Sequence, residues 1–179
     1  MVEENDRRVI EQLLAGSEPA FRQIFDQHSQ RIFKYVRRMT RSVTEAEDIV
    51  QETFIRFWVS RDRFDPGRVK LTTWLHRIAR NLCVDYFRQR QRQEKQGPVQ
   101  SDNQDSPDAD YELSARAAVV HKALMALSER QRSAIVLCHY QNFSQTDAAH
   151  ILDLSVDALE SLLRRGRSKL KQILAKELE

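Results

Sequence analysis

Glycine, proline and cysteine are scarce in this chain of 179 residues, which holds four glycines, four prolines and two cysteines. These are too few for the many tight turns of a β-rich protein, which depend on glycine and proline. Alanine, leucine, arginine, glutamine and glutamate dominate instead, and these residues favour helices. We therefore predict an all-α protein.

Long apolar runs and an N-terminal signal sequence are also missing. The chain opens with the charged residues MVEENDRR, and no apolar run approaches the ~20 residues that a membrane-spanning helix needs. We expect no membrane insertion and a cytoplasmic location. In that compartment Cys83 and Cys138 are expected to stay reduced and to lie buried within helices.

The sequence lacks the usual catalytic and metal-binding patterns as well. It contains no glycine-rich phosphate loop, no nucleophile elbow and no cysteine pair at metal-ligand spacing. Cys138, His139 and His150 lack a fourth ligand, which argues against a zinc site. His28 and His76 are interpreted as ordinary helix residues. We expect a protein that is not an enzyme and uses no metal or cofactor.

The net charge of the chain is only +3, so the local concentration of positive charge is more informative than its total. Residues 72–92 hold five arginines against one acid, and a helix is predicted from Thr73 to about Arg92. Its apolar residues recur at three- and four-residue steps and should be buried: Trp74, Leu75, Ile78, Ala79, Leu82 and Tyr86. The basic residues on the other sides of this helix suit a phosphate backbone and unstacked bases. For this helix taken by itself, a basic face in contact with solvent is an equally good explanation.

Helical periodicity and capping residues predict four helices in the first half of the chain. Ser17 is a plausible N-cap of the second helix. Thr44 and Glu47 form a capping-box pattern that opens a third helix, which runs to about Val59. With the basic helix these segments form a four-helix unit over residues 1–92.

An acidic linker is predicted at residues 93–112, where six acids stand against one lysine and apolar periodicity is absent. Helical patterns resume over residues 113–179. Capping patterns start at Ser128, at Ser144 and at Ser155, and a tight turn is predicted at Asp153. The fold class is therefore two small all-helical domains joined by a flexible acidic linker.

The last two helices follow the helix-turn-helix pattern of a short helix, a tight turn and a longer helix. Ile151, Val156 and Leu159 are expected to fill the space between them. The outward side of the long helix begins with Asp157, Ala158, Glu160 and Ser161. The cations Arg164, Arg165, Arg167, Lys169 and Lys171 follow. In this geometry the early residues meet base edges and the later cations meet phosphates, whereas a plain helical hairpin with a basic face is the alternative.

With both halves considered, the chain resembles the bacterial RNA polymerase sigma factors of the extracytoplasmic-function group, which keep only regions 2 and 4. Three segments carry the resemblance, in the family's order: EAEDIVQETFIRFW, TTWLHRIARNLCVDYFRQR, and LSERQRSAIVL followed by SQTDAAHILDLSVDALESLLRRGRSKL. The resemblance implies that residues 1–92 are region 2, which binds core polymerase and the −10 promoter element. It also implies that residues 113–179 are region 4, which binds the −35 element.

The resemblance implies a polymerase-binding surface on the third helix. Asp48, Gln51, Glu52 and Ile55 lie at steps that place them on one face, away from the predicted core. An apolar residue among carboxylates is typical of a protein-docking surface. In the family this surface binds the clamp helices of the polymerase β′ subunit, and region 4 binds the β flap.

The resemblance also implies that the loop and basic helix melt promoter DNA and hold a flipped base of the −10 element. The candidates for this role are Phe64, Lys70, Thr72, Arg77, Arg80, Asn81 and Arg88. Trp74 is assigned to the core instead. Arg90 and Arg92 are interpreted, with Arg88, as nonspecific phosphate contacts.

For the −35 element the resemblance implies a recognition helix with the contact residues Ser155, Asp157, Ala158, Glu160, Ser161, Arg164, Arg165 and Arg167. This chain departs from the family there, because relatives usually have glycine, threonine or a basic residue near its start and a polar residue at position 162. Glu160 can accept a hydrogen bond from a cytosine amino group or repel phosphate, so the −35 sequence stays open.

The implied partners are core RNA polymerase, promoter DNA and an anti-sigma factor. The alternative is an autonomous helix-turn-helix regulator whose N-terminal domain dimerises or senses a ligand. The stripe at Asp48, Gln51, Glu52 and Ile55 and the aromatic-basic helix favour the sigma factor, since a repressor needs neither.

Overall fold

A computed structural model describes residues 2–40, 42–96 and 115–177, and every regular element within these ranges is helical. The first half contains α1 (Val2–Leu14), α2 (Glu18–Met39), α3 (Val43–Val59), a 3₁₀ turn (Arg61–Arg63) and α4 (Leu71–Gln96). The second half contains α5 (Ala115–Met125), α6 (Glu129–Ile135), a π-helical turn (Val136–Tyr140), α7 (Gln145–Leu152) and α8 (Val156–Glu177). The all-α prediction is confirmed, while most of the predicted acidic linker lies outside the described residues.

Helices α1 to α4 form the N-terminal unit around an aromatic core. Phe54 and Phe57 of α3 are almost completely buried, and Phe25 packs edge-on against Phe54 with ring centroids 4.8 Å apart. The buried side of α4 contains Leu75 and Ala79, as the sequence periodicity predicts. Such T-shaped aromatic contacts add to the stabilisation from burial alone.

The start of α3 differs from the prediction. Its N-cap is Ser42, whose Oγ accepts a hydrogen bond from the Glu45 backbone N–H. The Thr44–Glu47 capping box is therefore wrong, because Thr44 already lies inside the first helical turn. Both Ser42 and Thr44 are followed three residues later by a glutamate, so the sequence pattern alone does not distinguish them.

Helices α5 to α8 form the C-terminal unit, and the predicted caps of this half are confirmed. Ser128 and Gln131 make a reciprocal capping box at α6, and Ser144 caps α7. Asp153 ends α7 in the left-handed conformation, at φ 53° and ψ 49°. A Cβ on Gly166 would lie 2.8 Å from the Cδ1 of Ile135, so glycine permits the close crossing of α8 over α6.

The predicted packing between the helix-turn-helix elements is partly wrong. Ile151 and Leu159 are fully buried as expected, but Val156 is 37% exposed. Val156 is the first residue of α8, so it projects at the helix end rather than toward α7.

The two units pack directly on each other, which the sequence did not suggest. Helix α7 lies against α4, and α6 lies against α2. Phe143, just before α7, packs edge-on against the His76 ring of α4 with centroids 4.6 Å apart. The buried apolar residues of both halves consequently form one continuous cluster.

Polar contacts also join the units. The Tyr35 hydroxyl of α2 lies 2.7 Å from the Ser133 Oγ of α6. Arg132 of α6 is only 7% exposed, and its Nη1 donates to the Met39 carbonyl over 2.6 Å. Its guanidinium also lies over the Phe87 ring of α4, 5.3 Å from the centroid. Because buried polar groups are costly without partners, these bonds specify one arrangement of the two units.

Candidate protein and nucleic-acid interfaces

The predicted stripe on α3 is presented outward. Asp48 and Gln51 are exposed, and Ile55 is 56% exposed. Glu52 is half-buried and accepts a hydrogen bond from the Arg56 Nε over 2.7 Å. An apolar side chain with more than half of its surface in water, flanked by carboxylates, is suited to cover by a protein partner.

An open groove beside this stripe was not predicted from the sequence. The groove has a volume of about 430 Å³ and lies between α2 and α3. Its lining consists of Glu18, Phe21, Arg22, Phe25, Ile55 and Trp58. The only sequence signal was the run of aromatic residues, which in a helical pattern indicates a core more often than a groove.

The predicted −10 residues lie along the α3–α4 loop and α4, but they differ in exposure. Lys70, Asn81 and Arg88 are exposed, whereas Thr72, Arg77 and Arg80 are half-buried. Of these residues, Lys70 and Arg77 contact α7 and its C-terminal cap. Phe64 differs from the rest: it is 3% exposed and packs against Phe57 and Trp74. Its ring is not accessible to a base, and we assign it to the core with Trp74.

Two of these cations are paired with acids of the other unit. The Lys70 Nζ donates to the Asp147 Oδ2 over 3.0 Å, and the Arg77 Nη2 donates to the Asp153 Oδ1 over 2.7 Å. Burial raises the pKa of Asp147, but its hydrogen bonds with Lys70 and Ser144 outweigh this and lower the pKa overall. The carboxylate is thus held ionised against the cation.

His76 is not the ordinary helix residue that was predicted. It is 1% exposed, its Nδ1 donates to the Thr72 carbonyl over 2.7 Å, and Tyr35 and Phe143 cover its ring. Burial above all, with a smaller effect of the nearby Arg31 of α2, lowers its pKa to about 4 against the opposing effect of the Thr72 hydrogen bond. His76 is therefore neutral at physiological pH and belongs to the contact between the units.

Arg90 also differs from its interpretation as a phosphate contact. Its guanidinium donates to the Tyr86 hydroxyl over 3.0 Å and lies 3.7 Å from the Glu45 carboxylate. These contacts tie the later part of α4 to the start of α3. Arg88 instead stays exposed, 3.9 Å from Asp85 on the same helix.

The predicted −35 residues occupy the outward side of α8. The Oγ of Ser155 caps this helix by accepting from the Ala158 backbone N–H over 3.2 Å. Ala158 and Ser161 are half-buried; exposed residues are Ser155, Asp157, Glu160, Arg164, Arg165 and Arg167. Leu162 packs against the core, which explains an apolar residue at this position.

The described residues hold no group of three or more histidine, cysteine, aspartate and glutamate side chains arranged to bind a metal. Cys83 is fully buried and Cys138 is half-buried, and burial raises the pKa of both thiols. None of the helices described here is both long and apolar enough to cross a bilayer.

Both halves of the chain match models of known protein families. The family model described as Sigma-70 region 2 matches residues 24–93, and the model described as Sigma-70, region 4 matches residues 117–170. The ECF RNA polymerase sigma factor SigW of Bacillus subtilis is 32% identical over 94% of this chain and 96% of its own length. SigE of Mycolicibacterium smegmatis, another ECF sigma factor, is also 32% identical, and the match covers 88% of this chain and 63% of SigE.

A third relative is known in sequence and in structure. The RNA polymerase sigma factor CnrH of Cupriavidus metallidurans is 33% identical over 99% of this chain and 98% of its own length. The structure of CnrH in complex with the cytosolic domain of CnrY superposes with a TM-score of 0.73, at 31% identity, over 96% of this chain and 97% of that one. The chain therefore belongs to the extracytoplasmic-function family of RNA polymerase sigma factors, and it is an alternative sigma factor that directs RNA polymerase to promoters.

Proposed function

We propose that the work of promoter recognition is divided between the two units. Residues 1–92 bind core polymerase and the −10 element, residues 113–179 bind the −35 element, and residues 93–112 join them. The observation that carries this division is the presence of two unlike surfaces on the N-terminal unit, the acidic stripe of α3 with exposed Ile55 and the basic side of α4. An autonomous repressor has no need of the first surface.

The polymerase contact is proposed to centre on Ile55, with Asp48, Gln51 and Glu52 around it, against the clamp helices of the β′ subunit. The groove between α2 and α3 adjoins Ile55 and adds the rings of Phe21, Phe25 and Trp58. An apolar centre with a polar rim is the usual anatomy of a specific protein interface.

The −10 contact is proposed to use Lys70 and Arg88 on phosphates and Thr72, Arg77, Arg80 and Asn81 around an unstacked base. Extruding a base costs a few kcal/mol, which stacking and hydrogen bonds to its edges must offset. The Arg80 Nη1 donates to the Asn81 Oδ1 over 3.0 Å, so these two side chains lie side by side.

The −35 contact is proposed to use the outward side of α8 in the major groove. Ser155, Asp157, Ala158, Glu160 and Ser161 face base edges. Arg164, Arg165 and Arg167 face the phosphates, and this charge contributes affinity without sequence preference.

Further partners follow from the family. CnrH is bound by CnrY in its solved structure, and we propose that this chain likewise binds an anti-sigma protein. We also propose that region 4 contacts the β flap and that the chain acts in the cytoplasm. The protein is proposed to need no catalytic centre or cofactor of its own, since the polymerase supplies the chemistry.

Run-off transcription tests the proposal. Core bacterial polymerase is incubated with a pool of promoter fragments, with and without this protein. Discrete transcripts that need the protein are expected, and the enriched templates define its −10 and −35 sequences. If no transcript depends on the protein, while the protein alone binds specific duplex sites, it is an autonomous regulator.

The polymerase surface has its own test. Replacing Asp48→Arg and Glu52→Arg should abolish association with core polymerase and leave helicity unchanged, because both side chains project from α3. The matched control is Glu11→Arg with Asp26→Arg, two exposed acids of α1 and α2 outside the stripe. Retained association by the folded Asp48/Glu52 variant rejects this surface.

A further inference from the structure

The exposed apolar surface of α3 continues beyond the predicted stripe to the end of the helix. Val59 lies one turn after Ile55 and is 71% exposed, against 56% for Ile55. Trp58 is half-buried and lines the groove between α2 and α3. Exposed aliphatic side chains beside an aromatic ring are typical of the centre of a protein interface, where tryptophan often carries much of the binding energy. The orientation of the Trp58 ring therefore matters for the proposed polymerase contact.

An arginine of the 3₁₀ turn that follows α3 holds this ring. The Arg61 guanidinium lies over the Trp58 indole, 4.3 Å from the ring centroid. Its Nη1 also donates to the Trp58 carbonyl over 2.7 Å. A guanidinium can make both contacts at once, because it is planar and carries several donors. Arg61 thus contacts the backbone and the side chain of the same tryptophan.

The Arg61 side chain is itself confined by the turn between α1 and α2. It is half-buried, and a Cβ added to Gly16 would lie 3.4 Å from its Nη2. Gly16 has a φ of 86°, which glycine adopts without strain and most other residues avoid. Phe21, near the start of α2, meets the Trp58 ring edge-on with centroids 5.0 Å apart. Arg61 and Phe21 together restrict the ring.

Ion pairing does not explain the position of Arg61. Within the ranges that the structure describes, no carboxylate lies within ion-pair distance of its guanidinium. Its Nε is also buried without a hydrogen-bond partner there, which costs free energy. The contacts with the Trp58 carbonyl and ring offset this cost, so the arginine is directed at the tryptophan.

We propose that Arg61 is a positioning residue for the polymerase contact, which fixes the Trp58 ring in the orientation that the clamp helices of the β′ subunit meet. The inference rests on the proposed binding of core polymerase by α3 and the groove. A side chain that is ordered before binding loses less conformational freedom when a partner covers it, so it contributes more to affinity. Arg61 acts through Trp58 and does not itself contact the polymerase.

The test is a double-mutant cycle in the full chain, with Arg61→Gln, Trp58→Ala and the two together. Arg61→Lys keeps the charge without the planar group, and it replaces Arg61→Gln in the cycle if that variant does not fold. Arg63→Gln and Arg63→Lys are the matched controls at an exposed arginine of the same turn. Surface plasmon resonance on immobilised core polymerase gives each Kd, and urea unfolding shows that each variant is folded.

Arg61→Gln should weaken binding about fivefold and Arg61→Lys about threefold, because neither side chain can cover the ring and donate to the carbonyl at once. The Arg63 variants should change the Kd by less than about twofold. In the Trp58→Ala background, Arg61→Gln should have no further effect. An effect of the same size in that background overturns the proposal, because Arg61 then does not act through the ring. Wild-type affinity of Arg61→Gln or of Arg61→Lys overturns it as well.

The motion of the ring is measured separately in the free protein. The chain has two tryptophans, so Trp74→Phe leaves Trp58 as the only indole fluorophore. In this background, time-resolved fluorescence anisotropy should show a larger amplitude of nanosecond motion for Arg61→Gln than for Arg63→Gln. Equal amplitudes overturn the proposal whatever the affinities are, because Arg61 then does not hold the ring.

Failure of the proposed polymerase surface gives a different result. If Trp58→Ala and the Asp48/Glu52 variant both bind core polymerase as the wild-type protein does, α3 is not the polymerase surface, and the role of Arg61 fails with it. If both weaken binding while Arg61→Gln does not, the polymerase surface stands and only the role of Arg61 fails.

Discussion

The two basic surfaces of the molecule differ in whether their cations are paired with carboxylates. On α8, Arg164, Arg165 and Arg167 are exposed, and no carboxylate among the described residues lies within ion-pair distance of them. Beside α4, Lys70 and Arg77 are paired with acids of the helix-turn-helix. The cations of one surface are open to a phosphate backbone, and two cations of the other already have acidic partners within the protein.

This difference shows that the availability of a basic surface depends on tertiary packing as much as on composition. Counted along the chain, α4 is as basic as α8, yet Arg77 of α4 and Lys70 just before it are paired with acids in the packed protein. The net electrostatic field at a surface is the sum over all nearby charges, including those from distant segments. Breaking or preserving the contact between the units should therefore change one surface and leave the other unchanged.

The largest expected effect comes from Arg132, the buried cation that joins the units. Its guanidinium donates to the Met39 carbonyl and, more weakly, to the Leu127 carbonyl. Arg132→Ala removes these charge-assisted bonds and leaves a cavity, so we expect a loss of about 3 kcal/mol in the free energy of unfolding. Urea unfolding followed by far-UV circular dichroism measures it. The control, Arg130→Ala at an exposed position of the same helix, should cost under about 0.5 kcal/mol.

Acid should weaken the contact through His76. Its pKa is about 4 in the packed protein and about 6.5 when solvated, so protons bind more tightly to the open or unfolded forms. The stabilisation is complete above the solvated pKa and is lost as the pH falls toward the lowered one. At about pH 5 the loss amounts to about 2 kcal/mol relative to neutral pH.

Urea unfolding across this pH range tests the His76 contribution. Carboxylates and the other histidines also contribute to the dependence, so the informative quantity is the difference between the wild-type protein and His76→Phe. The variant keeps an aromatic ring between Tyr35 and Phe143 but has nothing to protonate. Its stability should fall less on acidification, and equal falls would contradict the assignment.

The comparison between the two surfaces can be tested on duplex DNA at low salt. Arg164→Ala with Arg165→Ala should reduce the slope of log K against log salt by about 2 and weaken binding about tenfold, because each lost phosphate contact releases one counterion less. Lys70→Ala with Arg77→Ala should reduce the slope much less, since these cations face Asp147 and Asp153 rather than phosphates in the packed protein. Fluorescence anisotropy titrations at several salt concentrations measure this, and equal effects of the two variants would show that α4 is accessible.

Local features of the fold were predictable from the sequence. Ser17, Ser128 and Ser144 cap their helices as expected, because each cap depends only on residues three positions away. The buried side of α4 followed from periodicity for the same reason. The outward position of Ile55 on α3 was also predicted, since helical spacing alone places it opposite the core.

The contact between the units was not predictable by these means. On a helical wheel of α4, His76 lies outside the set of apolar residues that was expected to be buried. Its burial is explained only by Tyr35 and Phe143, which are distant in sequence. Lys70 and Asp147 are separated by 77 residues, a distance over which a single sequence contains no pairing signal. Phe64 was assigned to DNA from the family resemblance of its loop, but Phe57 and Trp74 enclose it.

The units also differ in how their central helices begin, and this gives the smallest expected effect. Helix α6 has a reciprocal capping box, whereas α3 has a single side-chain cap from Ser42, not the predicted Thr44. Ser42→Ala should lower the free energy of unfolding by about 1 kcal/mol, because the Glu45 N–H loses its partner. Thr44→Ala should change it by less than about 0.5 kcal/mol, since alanine favours the helix interior. Urea unfolding of both variants measures the difference. A larger effect at Thr44 would support the Thr44–Glu47 capping box that the sequence predicts. Because α3 carries the proposed polymerase stripe, the same pair of variants also shows whether fraying at this end weakens association with core polymerase.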